Sequence, residues 1–297
     1  MTVLVVGANG QLGQSLQVQL SREKINFLAL TKNEIDITQP RMIEQCLKKF
    51  SPIVVVNLAA YTAVDLAETS IDLAYEINAI GCKNLAICCS MFKLPLIHIS
   101  TDYVFDGDSQ IPYKPTDSPN PINIYGASKL KGEKLIQQYS EKYIILRTSG
   151  VYGEFGNNFL KTMLNLSQTT KELNIISDQF TTPTYSGDLA FAILKICLAH
   201  QSQPLENNIY HYGGPKTLSW FDFAKEIFLY MSTFQPKLNS PVLAPVLSKN
   251  YITPAQRPIF SALDSSSLND KYDLPCIDIS DRISSTIDKL IATGFIS

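Results

Sequence analysis

Along the first half of the chain, short runs that are apolar at every position alternate with longer stretches that are apolar at every third or fourth. Val3 to Val6 is a continuous apolar run, and Leu12, Leu16 and Leu20 follow at helical spacing, so the chain opens as strand, glycine turn and helix. The runs INFLAL, IVVVNLAA, LPLIHIS and YIILRTS repeat the strand pattern, separated by helix-length stretches such as RMIEQCLKKF and IDLAYEINAIGCKNLAICCSMF. Strands that are apolar on both faces must be covered on both faces. The pattern therefore predicts an α/β fold, a doubly wound parallel sheet between two layers of helices.

This regularity fades after Gly150, which places a dinucleotide-binding domain over residues 1–150 and mainly a substrate-binding lobe over residues 151–297. The stretch GDLAFAILKICLA, residues 187–199, is expected to return to the sheet as a helix, giving a return of the chain near 178–200. Residues 235–258 carry five prolines and no clear period, which suits ordered loops around a site better than a core.

Charge and composition remove several function classes. Against 25 lysines and arginines stand 27 acidic residues, a formal net charge of −2, so no general attraction to nucleic acid or an anionic membrane is expected. The first residues lack the charged flank and length of a secretory signal, and no later run approaches the roughly 18 apolar residues of a membrane span. The expected setting is cytoplasmic. Six cysteines form no CxxC pair and no metal-ligand spacing with the three histidines, which predicts buried thiols in a reducing compartment and no metal site.

Gly7, Gly10 and Gly13 form a GxxGxxG turn between the first strand and the first helix. Glycines there permit a tight turn, close approach of the backbone to a pyrophosphate and close helix packing, while the helix N-terminus favours negative charge. Asn9, Gln11 and Leu12 lie in the same turn and are expected to line the cofactor. At the end of the second strand, where an acidic residue would bind the ribose hydroxyls of NAD, the chain has Thr31 and Lys32. Lys32 there can meet a 2′-phosphate, with a solvated surface lysine as the other reading, so NADPH is only mildly favoured over NADH. Asp36 and Ile37 are expected to border the adenine, with a turn cap as the other reading of Asp36.

Tyr125 and Lys129 are four residues apart in NIYGASKLKGEKL, hence on one face of a helix. A cation beside a phenol favours the tyrosinate and lowers its pKa from about 10 toward neutrality, giving a group that can donate and accept a proton. Carbonyl reduction requires such a group, because a hydride delivered to carbon leaves an alkoxide to be protonated. Ser100 and Thr101 close the LPLIHIS strand at its C-terminal end, where parallel sheets bind ligands.

With these residues in place the chain resembles the extended short-chain dehydrogenase/reductases of Rossmann fold, and within them the dTDP-4-dehydrorhamnose reductases. The resemblance runs from the glycine turn through at least Arg257. It rests on TAVDLAE (residues 62–68), INAIGCKNLA (77–86), STDYVFDG (100–107), YGASKLKGE (125–133), RTSGVYG (147–153) and DQFTTPTYSGDLA (178–190). It implies that Tyr125 is the general acid, that Lys129 holds the nicotinamide ribose and tunes the tyrosine, and that Thr101 hydrogen-bonds the substrate carbonyl. It further implies Asn57, Ala59, Ala60 and Tyr61 along the cofactor, with Asn78 supporting the active-site helix. Val64, Asp102, Tyr103, Phe105 and Gly150 would face the substrate, joined from the second lobe by Asn158 and Arg257. The implied reaction is reduction of the C4 ketone of a nucleotide-linked deoxysugar, most simply dTDP-4-dehydro-L-rhamnose, within cell-surface polysaccharide biosynthesis.

Four positions depart from the resembling pattern. Gly150 stands where the subgroup usually has tryptophan, Thr181 where it often has glycine, and Phe260 and Ala262 occupy positions that are often polar or basic. All face the substrate side, so the sugar is less determined than the hydride chemistry. Phe180, in the DQF loop, is the expected substitute for the absent indole. A non-catalytic NADP-binding subunit resembling the regulatory subunit of methionine adenosyltransferase, and an epimerase or dehydratase of the same fold, are the alternatives. Against the dehydratase, Thr101 is followed by Asp102 and Tyr103 rather than an Asp-Glu pair. A homodimer and a Mg²⁺ requirement are left open by the sequence.

Overall fold

A computed structural model describes residues 2–235 and 240–296; residues 236–239 of the proline-rich segment lie outside the described residues. The first half alternates strand and helix: β1 (Thr2–Val6), α1 (Gln11–Arg22), β2 (Asn26–Leu30), α2 (Pro40–Phe50), β3 (Val54–Asn57), α3 (Val64–Ala67), α4 (Ile71–Tyr75), α5 (Cys82–Met91), β4 (Leu96–Thr101), α6 (Ile124–Tyr139) and β5 (Tyr143–Thr148). The strands behave as their unbroken apolar runs require. Val3 and Val5 of β1 join one core with Val54 and Val56 of β3, while Leu4 and Val6 join another with Val55, so each face of the sheet carries its own apolar layer.

The second half supplies β6 (Val151–Tyr152), α7 (Phe159–Ser167), β7 (Glu172–Ile176), β8 (Phe180–Thr181), β9 (Thr184–Tyr185), α8 (Ser186–Ser202), β10 (Asn208–Tyr212), β11 (Leu218–Ser219), α9 (Trp220–Phe234), β12 (Val242–Val246), α10 (Ser266–Tyr272) and α11 (Ile279–Ala292). The central sheet is parallel, in the order β10-β5-β4-β3-β1-β2. From β1 the chain first moves outward to β2 and then crosses to β3. The C-terminal ends of β1 and β3 therefore flank a topological switch point, where open α/β sheets bind ligands.

Helix α8 returns to the sheet, with Leu189, Ile193 and Cys197 buried in the same core as Val3 and Leu16. The edge strand β10 also comes from beyond Gly150 and pairs with β5. Tyr152, Leu160, Phe223, Ile227, Ile283 and Ile287 form a separate core for the second lobe. In the proline-rich segment, where the sequence shows no period, β12 pairs in parallel with β7.

The stretch expected as one helix over residues 71–92 instead contains a π-helical turn, Glu76–Gly81, between α4 and α5. Such a turn inserts an extra residue and re-aims a side chain. Here it aims Asn78 inward: Oδ1 accepts from the Tyr61 amide at 2.8 Å, and Nδ2 donates to the Tyr61 carbonyl at 3.1 Å and to Ser128 on α6 at 3.0 Å. No period of apolar residues signals that insertion.

Candidate active site

The glycine turn forms the floor of the site. Gly7 has φ +86°, and a Cβ there would lie 2.6 Å from the Ala59 amide nitrogen, so the loops after β1 and β3 approach more closely than a side chain allows. No side chain caps the N-terminus of α1, and residues Asn9 to Gly13 line a cleft of about 670 Å³. The amides of the first turn are thereby left to an anionic group.

This cleft shares Asn9, Gly10, Leu58 and Ala60 with a recess of about 290 Å³ that is walled by Thr31, Lys32, Asp36, Ile37 and Ala59. The two meet at the glycine turn, and their volumes are in the range that ligand pockets occupy. Asp36 does cap its turn, its Oδ1 accepting from the Thr38 amide at 2.9 Å and hydroxyl at 2.8 Å, yet it remains on the recess wall. Glu34 was not foreseen. Its carboxylate accepts from the Thr31 amide and hydroxyl, both at 2.8 Å, which puts an acidic group at the end of β2 beside Lys32.

Helix α6 carries the phenol and amine to the other end of the cleft. Asn123 caps it, Oδ1 accepting from the Gly126 amide at 2.8 Å, while Nδ2 reaches the Gln256 carbonyl at 2.8 Å. A Cβ on Gly126 would fall 2.0 Å from the Tyr103 carbonyl oxygen, so only glycine lets the helix close on the turn after β4. Tyr125 and Lys129 then both line the cleft.

The expectation that Lys129 lowers the Tyr125 pKa is not met. The Lys129 nitrogen donates to the Ile99 carbonyl at 2.6 Å and lies 3.2 Å from His98 Nε2, so it faces the sheet. Burial pushes Tyr125 up to about 12; a hydrogen bond with Thr101 opposes the shift and the charge on Asp102 adds to it. Desolvation of the phenolate thus dominates, with the Lys129 nitrogen pointing elsewhere.

Thr101 and Thr148 are direct neighbours at the C-terminal ends of β4 and β5. The Thr101 hydroxyl donates to Asp102 Oδ1 at 3.0 Å and accepts from the Tyr103 amide at 3.2 Å. Asp102 is buried, which raises its pKa to about 7 against hydrogen bonds from Ser261 and Thr101. Tyr103 meets Tyr125 edge-on, with ring centroids 5.9 Å apart. Among the described residues, the hydroxyls of Ser100, Thr148 and Thr181 are buried without a hydrogen-bond partner, and all three residues line this cleft. Buried hydroxyls without partners are costly, so the cleft fits a ligand rich in polar groups.

Most of the expected site residues meet on these walls: Gly10 to Gly13, Val64, Thr101 to Tyr103, Tyr125, Lys129 and Gly150 in the cleft, and Gly7, Lys32 and Ile37 in the recess. The structure moves others. Phe105 is not at the site: it is fully buried and stacked on Tyr113 at 4.1 Å, because its ring fills the core behind the turn. Arg257 pairs with Asp65 at 3.0 and 2.8 Å and also hydrogen-bonds Tyr103, so it stands behind that ring while Pro258 and Ser261 line the cleft. Asn158 caps α7 and holds the Gln11 side chain at 2.8 Å from behind. Asn57, Asn78 and Tyr61 likewise brace the walls rather than line them. Trp220, Gln179, Phe180 and Thr181 stand on the second-lobe side. Of these, Trp220 was missed, although its place as the chain's single tryptophan was the available signal.

Among the described residues no group of three or more His, Cys, Asp or Glu side chains could hold a metal ion, and no helix is long and apolar enough to cross a membrane. Five of the six cysteines are buried thiols; Cys276 is exposed, contrary to expectation.

A family model described as the RmlD substrate binding domain matches residues 1–291. The chain is 39% identical, over 91% of its length and 92% of the relative's, to a dTDP-4-dehydrorhamnose reductase of Aggregatibacter actinomycetemcomitans. It is 38% identical, over 90% of both lengths, to the spore coat polysaccharide biosynthesis protein SpsK of Bacillus subtilis. A solved structure of dTDP-4-dehydrorhamnose reductase from Bacillus anthracis in complex with NADP superposes with a TM-score of 0.89 at 38% identity, covering 97% of this chain and 99% of that one.

Proposed function

The chain belongs to the RmlD substrate binding domain family, and on that premise we propose that it is an NADPH-dependent oxidoreductase that reduces the C4 ketone of dTDP-4-dehydro-L-rhamnose to dTDP-L-rhamnose. The observation that carries this reading is the convergence on one cleft of the glycine turn, the Tyr125–Thr101 pair and the three partnerless hydroxyls of Ser100, Thr148 and Thr181. A dinucleotide end, a proton donor and a bed for sugar hydroxyls are the three parts that ketone reduction on a nucleotide sugar needs.

When bound, the dinucleotide supplies a hydride to the C4 carbon. The chain's own residues manage the oxygen. Tyr125, protonated at neutral pH as an ordinary phenol is and the more so for its burial, gives its proton to the developing alkoxide. The Thr101 hydroxyl orients that oxygen. Lys129, with its nitrogen within the same buried layer, holds the nicotinamide ribose. Lys32 at the recess favours the 2′-phosphate, in keeping with the NADP held by the Bacillus anthracis relative, and NADH is the weaker alternative.

On this reading residues 1–150, with the return near 178–200, hold the dinucleotide, and residues 151–297 mainly hold the substrate. The setting is cytoplasmic, and the product feeds cell-surface polysaccharide, as the SpsK relative's name indicates for that protein. The reductase names of the relatives favour this reading over an epimerase, a dehydratase or a non-catalytic subunit. The test is stoichiometric oxidation of NADPH by enzymatically generated dTDP-4-dehydro-L-rhamnose, with UDP-linked 4-keto sugars in parallel. NADPH binding without turnover of any of these sugars would sink the proposal.

A further inference from the structure

His98 lies in the middle of β4, fully buried, directly beneath the amine of Lys129. Its two ring nitrogens have different neighbours, and the hydrogen-bond count around them is restrictive. Asn57 Oδ1 accepts from the Ala59 amide at 3.1 Å, which fixes the amide orientation and aims Asn57 Nδ2 at His98 Nδ1, 3.0 Å away. Nδ2 is a donor, so Nδ1 must be the acceptor and the proton of a neutral imidazole must sit on Nε2. That Nε2–H points at the Lys129 nitrogen 3.2 Å away. An ammonium has three donors and no acceptor, and would set donor against donor. Turning the Asn57 amide over moves the same conflict to the Ala59 N–H. A neutral amine resolves every contact: its lone pair accepts from Nε2–H while one of its own protons goes to the Ile99 carbonyl at 2.6 Å.

We propose that His98 is a positioning residue for Lys129: as the neutral Nε2–H tautomer it donates to the Lys129 amine and keeps that amine uncharged until a bound dinucleotide offers it acceptors. Among the surrounding groups Cys82 and Glu133 favour the charged amine, but burial of Lys129 outweighs them. Cys82 approaches the ring at 3.8 and 4.0 Å as a thiol kept protonated by burial. The Glu133 carboxylate is engaged by Arg147. Burial works in the same direction on both members of the pair, lowering the pKa of Lys129 and of His98. When the ribose hydroxyls arrive, the amine takes a proton from solvent, forming one N–H bond at its lone pair, and turns from the ring. This inference rests on the dinucleotide reading given above.

Two measurements test it. In the ligand-free wild-type protein, ¹⁵N-imidazole NMR at pH 7 should show His98 with Nε2 protonated and Nδ1 bare, its signals assigned by their loss in His98→Gln. A ring protonated at Nδ1, or at both nitrogens, overturns the proposal. Calorimetry of NADPH binding at pH 8, where the 2′-phosphate is already ionised, in buffers of different ionisation enthalpy should give uptake of about one proton per site. Uptake should vanish in Lys129→Met, persist in His98→Gln, whose amide offers the same acceptor and donor, and fall at least severalfold in His98→Leu. No uptake in the wild type overturns the neutral amine, and undiminished uptake in His98→Leu overturns the role of His98. Should His98→Leu fail to fold, the wild-type spectrum and Lys129→Met still decide. A protein that passes both tests yet reduces no 4-keto sugar would count against the reductase reading alone.

Discussion

Arg147 on β5 grips the Glu133 carboxylate on α6, with Nη2 to Oε2 at 2.7 Å and Nε to Oε1 at 3.0 Å, and both side chains are almost wholly buried. The pair fastens the helix that carries Tyr125 and Lys129 to the strand that ends in Thr148. The Arg147 guanidinium also lies over the Phe105 ring at 5.2 Å, which explains why that phenylalanine belongs to the core. A buried pair contributes little over an apolar replacement of both members, but removing one member strands the other's charge.

Arg147→Met is therefore expected to cost about 3–5 kcal/mol, with Arg147→Met/Glu133→Leu recovering part of the loss. Urea unfolding midpoints measure both. Equal midpoints for the single variant and the wild type would show that the charge on Glu133 is not left stranded.

Tyr125→Phe removes the proton donor while leaving the ring and its edge contact with Tyr103. Turnover should drop by about 10²-fold or more, with NADPH affinity kept. Single-turnover rates and a fluorescence titration of the dinucleotide separate the two effects, and near-normal turnover would remove Tyr125 from the role of acid.

Lys32 shares the recess with Thr31 and Asp36, while Glu34 closes back on Thr31. A cation and an anion at one strand end pull the cofactor choice in opposite directions. A modest preference for NADPH, on the order of tenfold or about 1.4 kcal/mol, should collapse or invert in Lys32→Asp. An unchanged ratio of kcat/KM for the two dinucleotides would show that Lys32 does not meet the 2′-phosphate.

Much of this was legible in the chain because unbroken apolar runs and glycine spacing are local. The strands, the turn at Gly7 and the face shared by Tyr125 and Lys129 need only neighbours in sequence. The direction of the Lys129 nitrogen was not legible, since His98 and the Ile99 carbonyl reach it across the sheet from β4. Nor was the π-helical turn that aims Asn78 inward, the pairing of Arg257 with Asp65 across 192 residues, or the closure of Glu34 on Thr31. Each depends on a polar partner fixed by the tertiary fold, and polar side chains leave no periodic trace.

Asp102 gives the stability a slope in pH. Its pKa is raised from an ordinary 3.8 to about 7 by burial, so between about pH 4 and pH 7 the folded chain holds a proton that the unfolded chain has released. Stability from this group is complete below about pH 4 and is lost as pH rises through about 7. Asp102→Asn should flatten that part of the curve, with the wild type losing stability relative to the variant from pH 5 to pH 8. Thermal melts across that range check it, and parallel curves would place Asp102 in a wetter environment than its burial indicates.

The wall at the end of β5 carries Gly150. This glycine has φ +53°, and a Cβ built on it would meet the Pro183 Cα at 3.3 Å and the Thr181 side chain at 3.5 Å. The direction in which a side chain would leave is thus already taken by the loop that follows Phe180. The backbone itself is in a left-handed conformation that L residues adopt at a cost of about 1–2 kcal/mol. Restoring an indole here should therefore not repair the pocket: Gly150→Trp is expected to lower both stability and kcat/KM for dTDP-4-dehydro-L-rhamnose. The second lobe's aromatic surface on the cleft comes instead from Phe180 and Trp220. Trp220 is held by Phe159 at 4.8 Å, whereas Phe180 is about one-third exposed and touches Phe260 at 6.4 Å between centroids. Phe180 is thus the freer ring and the one able to settle on a sugar. Phe180→Ala should raise KM for the sugar nucleotide by roughly tenfold, the loss of about 1–1.5 kcal/mol of ring contact, and leave NADPH binding intact. Initial-rate kinetics on the two variants decide between the walls. A gain in kcat/KM for Gly150→Trp together with an unaffected Phe180→Ala would return the substrate wall to the end of β5.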